Sequence, residues 1–189
     1  MREIASKTQK LSGFLIDLIN MTMIDVADEL GVPTYLFFTS GAAFLGLRFH
    51  FQTLEDEQNQ DISELVKGES HLVLPSFAKP VPISVLPTLA TKKEFRSNVF
   101  LKCTRDYRRA KGIIVNTFSY LESNAISSFS LNSYYGKSSL PPIYPVGPIL
   151  NSSQIQTQSS EDYSSMMKWL DCQPKNSVVF LCFGSLGSF

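Results

Sequence analysis

Three stretches of the sequence place a polar residue or a glycine directly after an apolar run, which is where ligand-binding residues collect in parallel α/β sheets. Asp17 ends the first run, Thr39 follows the second, and Gly184 and Ser185 follow the last one. Because parallel strands end at one common edge, these residues form the candidate site. Asp17 and Thr39 have an alternative role, since a carboxylate or hydroxyl in that position also caps the next helix.

The turn Gly184-Ser185-Leu186-Gly187 exposes backbone N–H groups and lacks bulky side chains, so a phosphate can approach it closely. Three better-known motifs are excluded. No Gly-Lys-Ser/Thr follows, as a Walker A loop requires, the pattern is not G-x-G-x-x-G, and Phe183 stands where a hydrolase elbow has glycine. The turn alone is a weak indication of phosphate binding, because strand-to-helix turns often contain glycine for steric reasons.

The histidines and cysteines give no metal site. His50 lies in a predicted helix, His71 begins an apolar loop, and neither belongs to an H-x-x-x-H or Asp/His cluster. We interpret both as structural or exposed rather than catalytic. The 3 cysteines form no C-x-x-C pair and the first residues are polar, so the sequence predicts a cytoplasmic protein with reduced thiols.

The charge balance restricts the partners. Lys and Arg together number 17, as do Asp and Glu together, so the formal net charge is zero. A nucleic-acid-binding surface or a polybasic membrane anchor needs an excess of basic residues, and both are therefore excluded. No apolar run reaches the roughly 18 residues of a membrane span. The basic cluster at residues 105–111 suits a solvated helix end, with an anion-binding patch as the alternative.

The apolar runs alternate with amphipathic stretches, as in βαβ units. Apolar strands separated by helices predict a parallel sheet with helices on both faces, so the predicted fold class is α/β, doubly wound. Thr22 is expected to cap the first helix and Gly31 to end it. The predicted strands are residues 13–19, 34–38, 112–116, 142–146 and 177–183, and the predicted helices are residues 23–30, 42–53, 92–110, 120–130 and 161–170.

Two segments interrupt this alternation. Residues 54–90 are acidic at first and then rich in proline, which predicts long surface loops of the kind that bind ligands. Residues 151–160 are polar and uncharged, which predicts a linker. The linker would separate a partial N-terminal domain, residues 1–150, from residues 161–189, which are too few to bury a core and resemble the start of a truncated domain.

Four blocks of the sequence resemble, in order, those of plant family 1 UDP-glycosyltransferases, which act on small molecules. The blocks are FLIDLINMTMIDVADELGVPTYLFFTSGAAFL, GIIVNTFSYLESNAI, PPIYPVGPIL and MKWLDCQPKNSVVFLCFGSLGSF. The resemblance implies the GT-B architecture, in which two Rossmann-like domains face each other and hold the acceptor and the nucleotide sugar, respectively. This chain would carry an incomplete N-terminal domain plus the first helix and strand of the C-terminal one.

The resemblance assigns roles on the catalytic and donor sides of the site. Asp17 matches the aspartate that orients the family's catalytic histidine, which deprotonates the acceptor hydroxyl. The implied reaction is an inverting, metal-free displacement from a UDP-sugar, with glucose as the expected sugar and no bound cofactor. Thr39 matches the threonine that contacts the donor sugar, and Gly184 and Ser185 match the turn that contacts the diphosphate.

On the acceptor side, Ile19 and Asn20 match residues that line the pocket, and residues 72–91 match the variable acceptor region. The implied acceptors are small phenols or terpenoids, and the full-length protein is expected to be a monomer. The catalytic histidine and the C-terminal donor signature have no counterpart in this chain, so we predict that it is inactive alone. The alternative is a non-catalytic binding or interaction product of a truncated glycosyltransferase gene.

Overall fold

The structure, a computed structural model, describes residues 11–92, 96–131, 134–149, 161–179 and 181. It divides the chain into two compact units, Met1–Ile149 and Leu150–Phe189. The division falls at the start of the predicted linker, whose residues 151–160 lie outside the described residues. The assignment of the two units to an acceptor-binding and a nucleotide-sugar-binding domain stays a prediction.

A four-stranded parallel sheet organises the first unit. Its strands, in spatial order, are β1 (Phe14–Asp17), β2 (Thr34–Phe38), β5 (Gly112–Val115) and β6 (Ile143–Pro145), and a separate antiparallel pair consists of β3 (His71–Leu72) and β4 (Val81–Pro82). Ile16 lies beside Leu36, Leu36 beside Ile113, and Ile113 beside Ile143. These aligned apolar residues belong to four of the predicted strands. All four are confirmed, and they differ from the prediction only in their end residues.

The helices that cover the sheet pack on one of its faces, where their apolar residues join the same core as the strands. They are α1 (Met23–Glu29), α2 (Ala42–Gln58), α5 (Lys102–Tyr107) and α6 (Ser123–Ser128). Between α2 and α5 lie α3 (Ile62–Gly68), a 3₁₀ turn (Ile83–Val85), α4 (Thr88–Thr91) and a π-helical segment (Arg96–Leu101).

The prediction of helices on both faces is wrong for the described residues. The strand order advances in one direction from β1 to β6, and right-handed crossovers then place every connecting helix on the same face. On the opposite face Leu15 is 64% exposed and Tyr144 47% exposed. A doubly wound sheet needs a reversal of strand order, and the described strands contain none.

The main core lies between the sheet and these helices. The ring of Tyr107 packs edge-on against Phe38 and Phe49, with centroid separations of 6.0 Å and 6.5 Å. Arg48 is buried beside them, and its guanidinium lies 4.9 Å from the ring centroid of Tyr107 and 4.3 Å from that of Phe100. An Arg48 Nη2–H also donates to the Phe100 carbonyl oxygen at 2.7 Å. Cation–π contacts and hydrogen bonds offset the desolvation of this buried charge.

The prediction of surface loops for residues 54–90 is wrong. The segment contains the end of α2 and the elements α3, β3, β4 and α4, and it builds a second apolar cluster. Prolines and short elements break the periodicity from which burial is normally inferred, so the sequence pattern resembled that of loops. The buried members of the cluster are Leu47, Phe51, Leu54, Ile62, Leu72, Leu74, Val81, Ala90, Phe100 and Leu101.

Gly46 allows the chain near Ser76 to approach α2 closely. An added Cβ at position 46 would lie 2.3 Å from the Ser76 Cβ, and Ser76 is buried with its hydroxyl donating to the Ala43 carbonyl oxygen. We expect Gly46→Ala to lower the free energy of unfolding by about 2 kcal/mol in urea denaturation. In Gly68→Ala the added Cβ would meet nothing within 4 Å. Equal losses in the two variants would contradict the described contact.

Several helix ends differ from the prediction. Thr22 occupies the N-cap position of α1, but its side chain makes no capping hydrogen bond. Gly31 does end this helix, in the left-handed conformation with φ of 65°. Helix α2 continues past its predicted end to Gln58 and is closed by Asn59 with φ of 50°. Of the described residues in the predicted helix at 92–110, those of α5 are α-helical, and residues 93–95 lie outside the described residues.

The basic cluster at residues 105–111, in the last turn of α5 and directly after it, forms ion pairs within the chain. Arg105 binds Asp56 of α2 at 2.6 Å, and Arg109 binds Asp25 and Asp28 of α1 at 2.8 Å and 2.6 Å. Arg105 lies in the last turn of α5, as predicted for a helix end, and the ion pairs connect this end of the helix to α1 and α2. The anion-binding alternative stays a prediction. No described helix combines the length and the apolar character that crossing a bilayer requires.

The second unit is described as one helix followed by irregular chain. The helix α7 (Glu161–Asp171) confirms the prediction. The predicted buried strand at residues 177–183 is not formed at the described positions, and Val179 and Leu181 are exposed. A strand needs a neighbour for its backbone hydrogen bonds, and none of the described strands pairs with this segment.

Candidate functional site

The predicted site residues of the first unit lie at the carboxyl edge of the four-stranded sheet. Asp17 is the last residue of β1 and lies beside Phe37 of β2. Thr39 directly follows β2, and Asn116 directly follows β5. The backbone N–H of Asn116 donates to the Phe38 carbonyl oxygen at 3.0 Å. The structure therefore brings Asp17 and Thr39 to the same edge, on neighbouring strands.

The Asp17 carboxylate is held by the turn that follows β1. Its Oδ1 accepts the backbone N–H groups of Ile19 and Asn20, both at 2.8 Å, and its Oδ2 accepts the Asn20 Nδ2–H at 2.7 Å. Asp17 thus stabilises its own turn instead of capping α1, which begins at Met23. A carboxylate offers about four acceptor positions, so the exposed Oδ2 side keeps room for a further donor.

These hydrogen bonds lower the pKa of Asp17 below its ordinary value of 3.8, the backbone N–H of Asn20 first and that of Ile19 second. We predict that a ¹³C NMR titration of the Asp17 carboxyl group has its midpoint below 3.8. The stability that the ionised group contributes is present above the unfolded pKa and is lost as the pH falls through the folded one.

Asn20→Ala provides the comparison for this titration. The substitution removes the side-chain donor and keeps both backbone donors, so the Asp17 midpoint should rise without returning to its ordinary value. A midpoint at or above 3.8 in the unsubstituted chain would contradict the described turn.

A side chain from a distant part of the sequence caps the start of α2. Glu122 accepts the Ala42 N–H at 2.7 Å through Oε2 and the Ala43 N–H at 2.9 Å through Oε1. The N-cap residue is Gly41, where an added Cβ would lie 2.7 Å from Glu122 Oε2. The alternative role of Thr39 as a helix cap is therefore wrong. Sequence reasoning missed Glu122 because no local signal links residues 80 positions apart.

The two residues predicted to line the acceptor pocket are exposed beside this edge, and their acceptor role stays a prediction. Ile19 is 69% exposed, and Asn20 is also exposed although its side chain holds Asp17. The segments that follow β5 and β6, which end at the same edge, add apolar surface. The exposed apolar residues in those segments are Phe118, Tyr120, Leu121, Val146 and Ile149.

The donor side of the predicted site is described only in part. Thr39 is exposed at the end of β2. Gly184 and Ser185, the predicted diphosphate turn, lie outside the described residues. The donor-binding roles of all three residues stay predictions.

Both histidines lie away from the carboxyl edge. His50 lies in α2, where burial lowers its pKa and its Nδ1–H donates to the Tyr134 carbonyl oxygen at 3.1 Å. His71 lies in β3, with Nδ1 at 3.0 Å from the Ser70 hydroxyl oxygen. Both line one surface cavity of about 370 Å³. Leu72, Val73 and Leu74 of the predicted acceptor region also line this cavity, whereas Asp17 and Thr39 do not. In the part of the chain that the structure describes, no cluster of His, Cys, Asp and Glu could hold a metal ion.

Comparisons with known proteins identify the family. The chain is 47% identical over 194 residues to UDP-glucose flavonoid 3-O-glucosyltransferase 6 of Fragaria ananassa, a match that covers 100% of this chain and 39% of the relative. The chain belongs to the plant UDP-glycosyltransferases. Anthocyanidin 3-O-glucosyltransferase 6 of Manihot esculenta is also 47% identical over 185 residues, covering 98% of this chain and 46% of the relative. No protein-family model matches the sequence.

Solved structures of plant UDP-glycosyltransferases share the fold. A UGT transferase of Siraitia grosvenorii in complex with UDP matches with a TM-score of 0.76 and 40% identity, covering 99% of this chain and 40% of that one. UGT71G1 of Medicago truncatula complexed with UDP-glucose matches with a TM-score of 0.72 and 36% identity. The match covers 100% of this chain and 40% of that one. These matches confirm the α/β, GT-B-type fold class. This UDP-glycosyltransferase chain spans about two fifths of the length of such proteins.

Proposed function

We propose that the chain is part of an inverting, metal-free glycosyltransferase that uses a UDP-sugar. The enzyme transfers a hexose, with glucose as the expected sugar, to a hydroxyl group of a small phenolic or terpenoid acceptor. The observation that carries the proposal is the identity of 47% to plant glucosyltransferases along the whole chain. The apolar surface near Asp17 and Thr39 supports an apolar acceptor, because small-molecule sites combine apolar walls with a few polar groups.

The geometry of Asp17 supports a role as the carboxylate that orients the catalytic base. Three hydrogen bonds hold it, the ionised form is favoured, and Oδ2 has room for another donor. An imidazole whose Nδ1–H donates to Oδ2 presents Nε2 to the acceptor hydroxyl and takes its proton. The acceptor oxygen forms a bond to the anomeric carbon of the sugar, while the bond to UDP breaks and its electron pair leaves with UDP.

We further propose that the chain does not catalyse transfer by itself. Its sequence contains 2 histidines, and His50 and His71 both hydrogen-bond away from the edge that carries Asp17. Removal of a catalytic base lowers turnover by orders of magnitude. Cytoplasmic location and a monomeric state of the full-length protein remain predictions.

A segment exchange tests the proposal. In the Fragaria ananassa relative, the matching residues are replaced by this chain, and the purified chimera is assayed with labelled UDP-glucose and a flavonoid. We expect glucoside from the chimera and none from the 189-residue chain. A folded chimera that binds UDP-glucose without transfer would contradict the catalytic proposal and favour the non-catalytic product. Glucoside from the chain alone would contradict its proposed inactivity.

A further inference from the structure

The peptide unit between Leu18 and Ile19 is held at both ends. Its N–H, which belongs to Ile19, donates to Asp17 Oδ1 at 2.8 Å. Its C=O, which belongs to Leu18, accepts the phenolic O–H of Tyr107 at 2.7 Å. A peptide unit is planar, so the direction of the C=O sets the direction of the N–H. The Tyr107 hydroxyl therefore orients one of the two amides that hold the Asp17 carboxylate.

Tyr107 is a rigid anchor for this contact. It is the last residue of α5, it is fully buried, and its ring is enclosed by Phe38, Phe49 and the Arg48 guanidinium. Phe38 directly precedes Thr39, so the ring that supports the Asp17 turn also packs against the end of β2. One buried side chain thus contacts both strand ends that carry the candidate residues.

We propose that Tyr107 is a positioning residue of the glycosyltransferase site, which fixes the Asp17 carboxylate through the Leu18–Ile19 peptide. The inference rests on the proposed function, because it takes Asp17 to be the orienting carboxylate. Hydrogen bonds in series polarise one another, so the bond from Tyr107 strengthens the bond from Ile19 to Asp17. Loss of the hydroxyl weakens this hold while the aromatic ring keeps its place.

Tyr107→Phe tests the inference in the 189-residue chain. The Asp17 carboxyl group is titrated by ¹³C NMR, and the exchange rate of the Ile19 amide is measured alongside. We expect the Asp17 midpoint to move up toward its ordinary value and the Ile19 amide to exchange roughly threefold faster or more.

Tyr135→Phe is the matched control. Tyr135 is also buried in the main core, and its hydroxyl lies 2.7 Å from the Ser128 hydroxyl. Its substitution removes the hydroxyl's contacts with Ser128 and Ser76, neither of which belongs to the Asp17 turn, so the Asp17 midpoint and the Ile19 exchange rate should stay unchanged.

Two results would overturn the inference. One is an unchanged Asp17 titration in folded Tyr107→Phe. The other is loss of the fold in Tyr107→Phe while Tyr135→Phe remains folded, because the hydroxyl would then support the fold and not the carboxylate in particular.

The chimera supplies a second readout, in which Tyr107→Phe should lower kcat more than it raises KM. Equal changes in the two constants would contradict a positioning role. If the unsubstituted chimera is inactive, the proposed function fails, and the NMR titration still decides whether Tyr107 positions Asp17.

Discussion

Asp17→Asn in the segment-exchange chimera should reduce kcat about 10²- to 10⁴-fold, with little change in the KM for UDP-glucose. Asparagine keeps the shape of aspartate but carries no charge, so it cannot stabilise the imidazolium that forms when the base takes a proton. Its amide N–H₂ would also face the Asn20 Nδ2–H, which now donates to Asp17 Oδ2. Steady-state kinetics with labelled UDP-glucose measures the effect.

Asp25→Asn is the control for this substitution. Asp25 is an exposed carboxylate of α1 whose described partner is Arg109 at 2.8 Å, and exposed ion pairs contribute little to stability. Its substitution should leave kcat nearly unchanged. A chimera with Asp17→Asn that keeps full turnover would exclude Asp17 as the proposed orienting partner of the catalytic histidine.

Glu122→Ala should lower the free energy of unfolding of the chain by about 3 kcal/mol. The substitution removes both charge-assisted hydrogen bonds that the carboxylate accepts from Ala42 and Ala43. It also leaves the positive end of α2 without its counter-charge. Urea denaturation followed by circular dichroism measures the loss.

Two further variants separate the cap from a general effect of charge. Glu122→Gln keeps one carbonyl acceptor, so its free energy of unfolding should lie between that of the wild type and that of the alanine variant. Glu64 pairs with Lys67 at 3.0 Å on the exposed surface of α3, and Glu64→Ala should cost less than about 0.5 kcal/mol. Similar losses for Glu122→Ala and Glu64→Ala would show that Glu122 does not cap α2.

Local patterns in the sequence were sufficient to predict the sheet. The apolar run that ends at Asp17 and the run at residues 34–38 pair as neighbouring strands, and their alternate side chains Ile16, Leu36 and Phe38 are buried in the main core. Gly31 ended α1 as predicted, because a left-handed residue suits glycine. The placement of Asp17 and Thr39 at one edge follows from the parallel arrangement of these strands.

Contacts between distant residues could not be predicted from one sequence. Nothing near Glu122 indicates that it caps a helix 80 residues earlier, and nothing near Tyr107 indicates its bond to Leu18. The second core was missed for a related reason, since its members at residues 62–90 come from several short elements, each too short to give a clear helical or strand period. Helices on both faces were expected because strand order, which decides the face, is not visible in the alternation of elements.

The one-directional strand order has a consequence for synthesis of the protein. β2 pairs with β1, β5 with β2, and β6 with β5, so each strand finds its partner already made when it leaves the ribosome. Chains emerge N-terminus first, at about 5–20 residues per second. The four described strands can therefore add co-translationally at a single edge, and none of the pairings among them has to open to admit a later one.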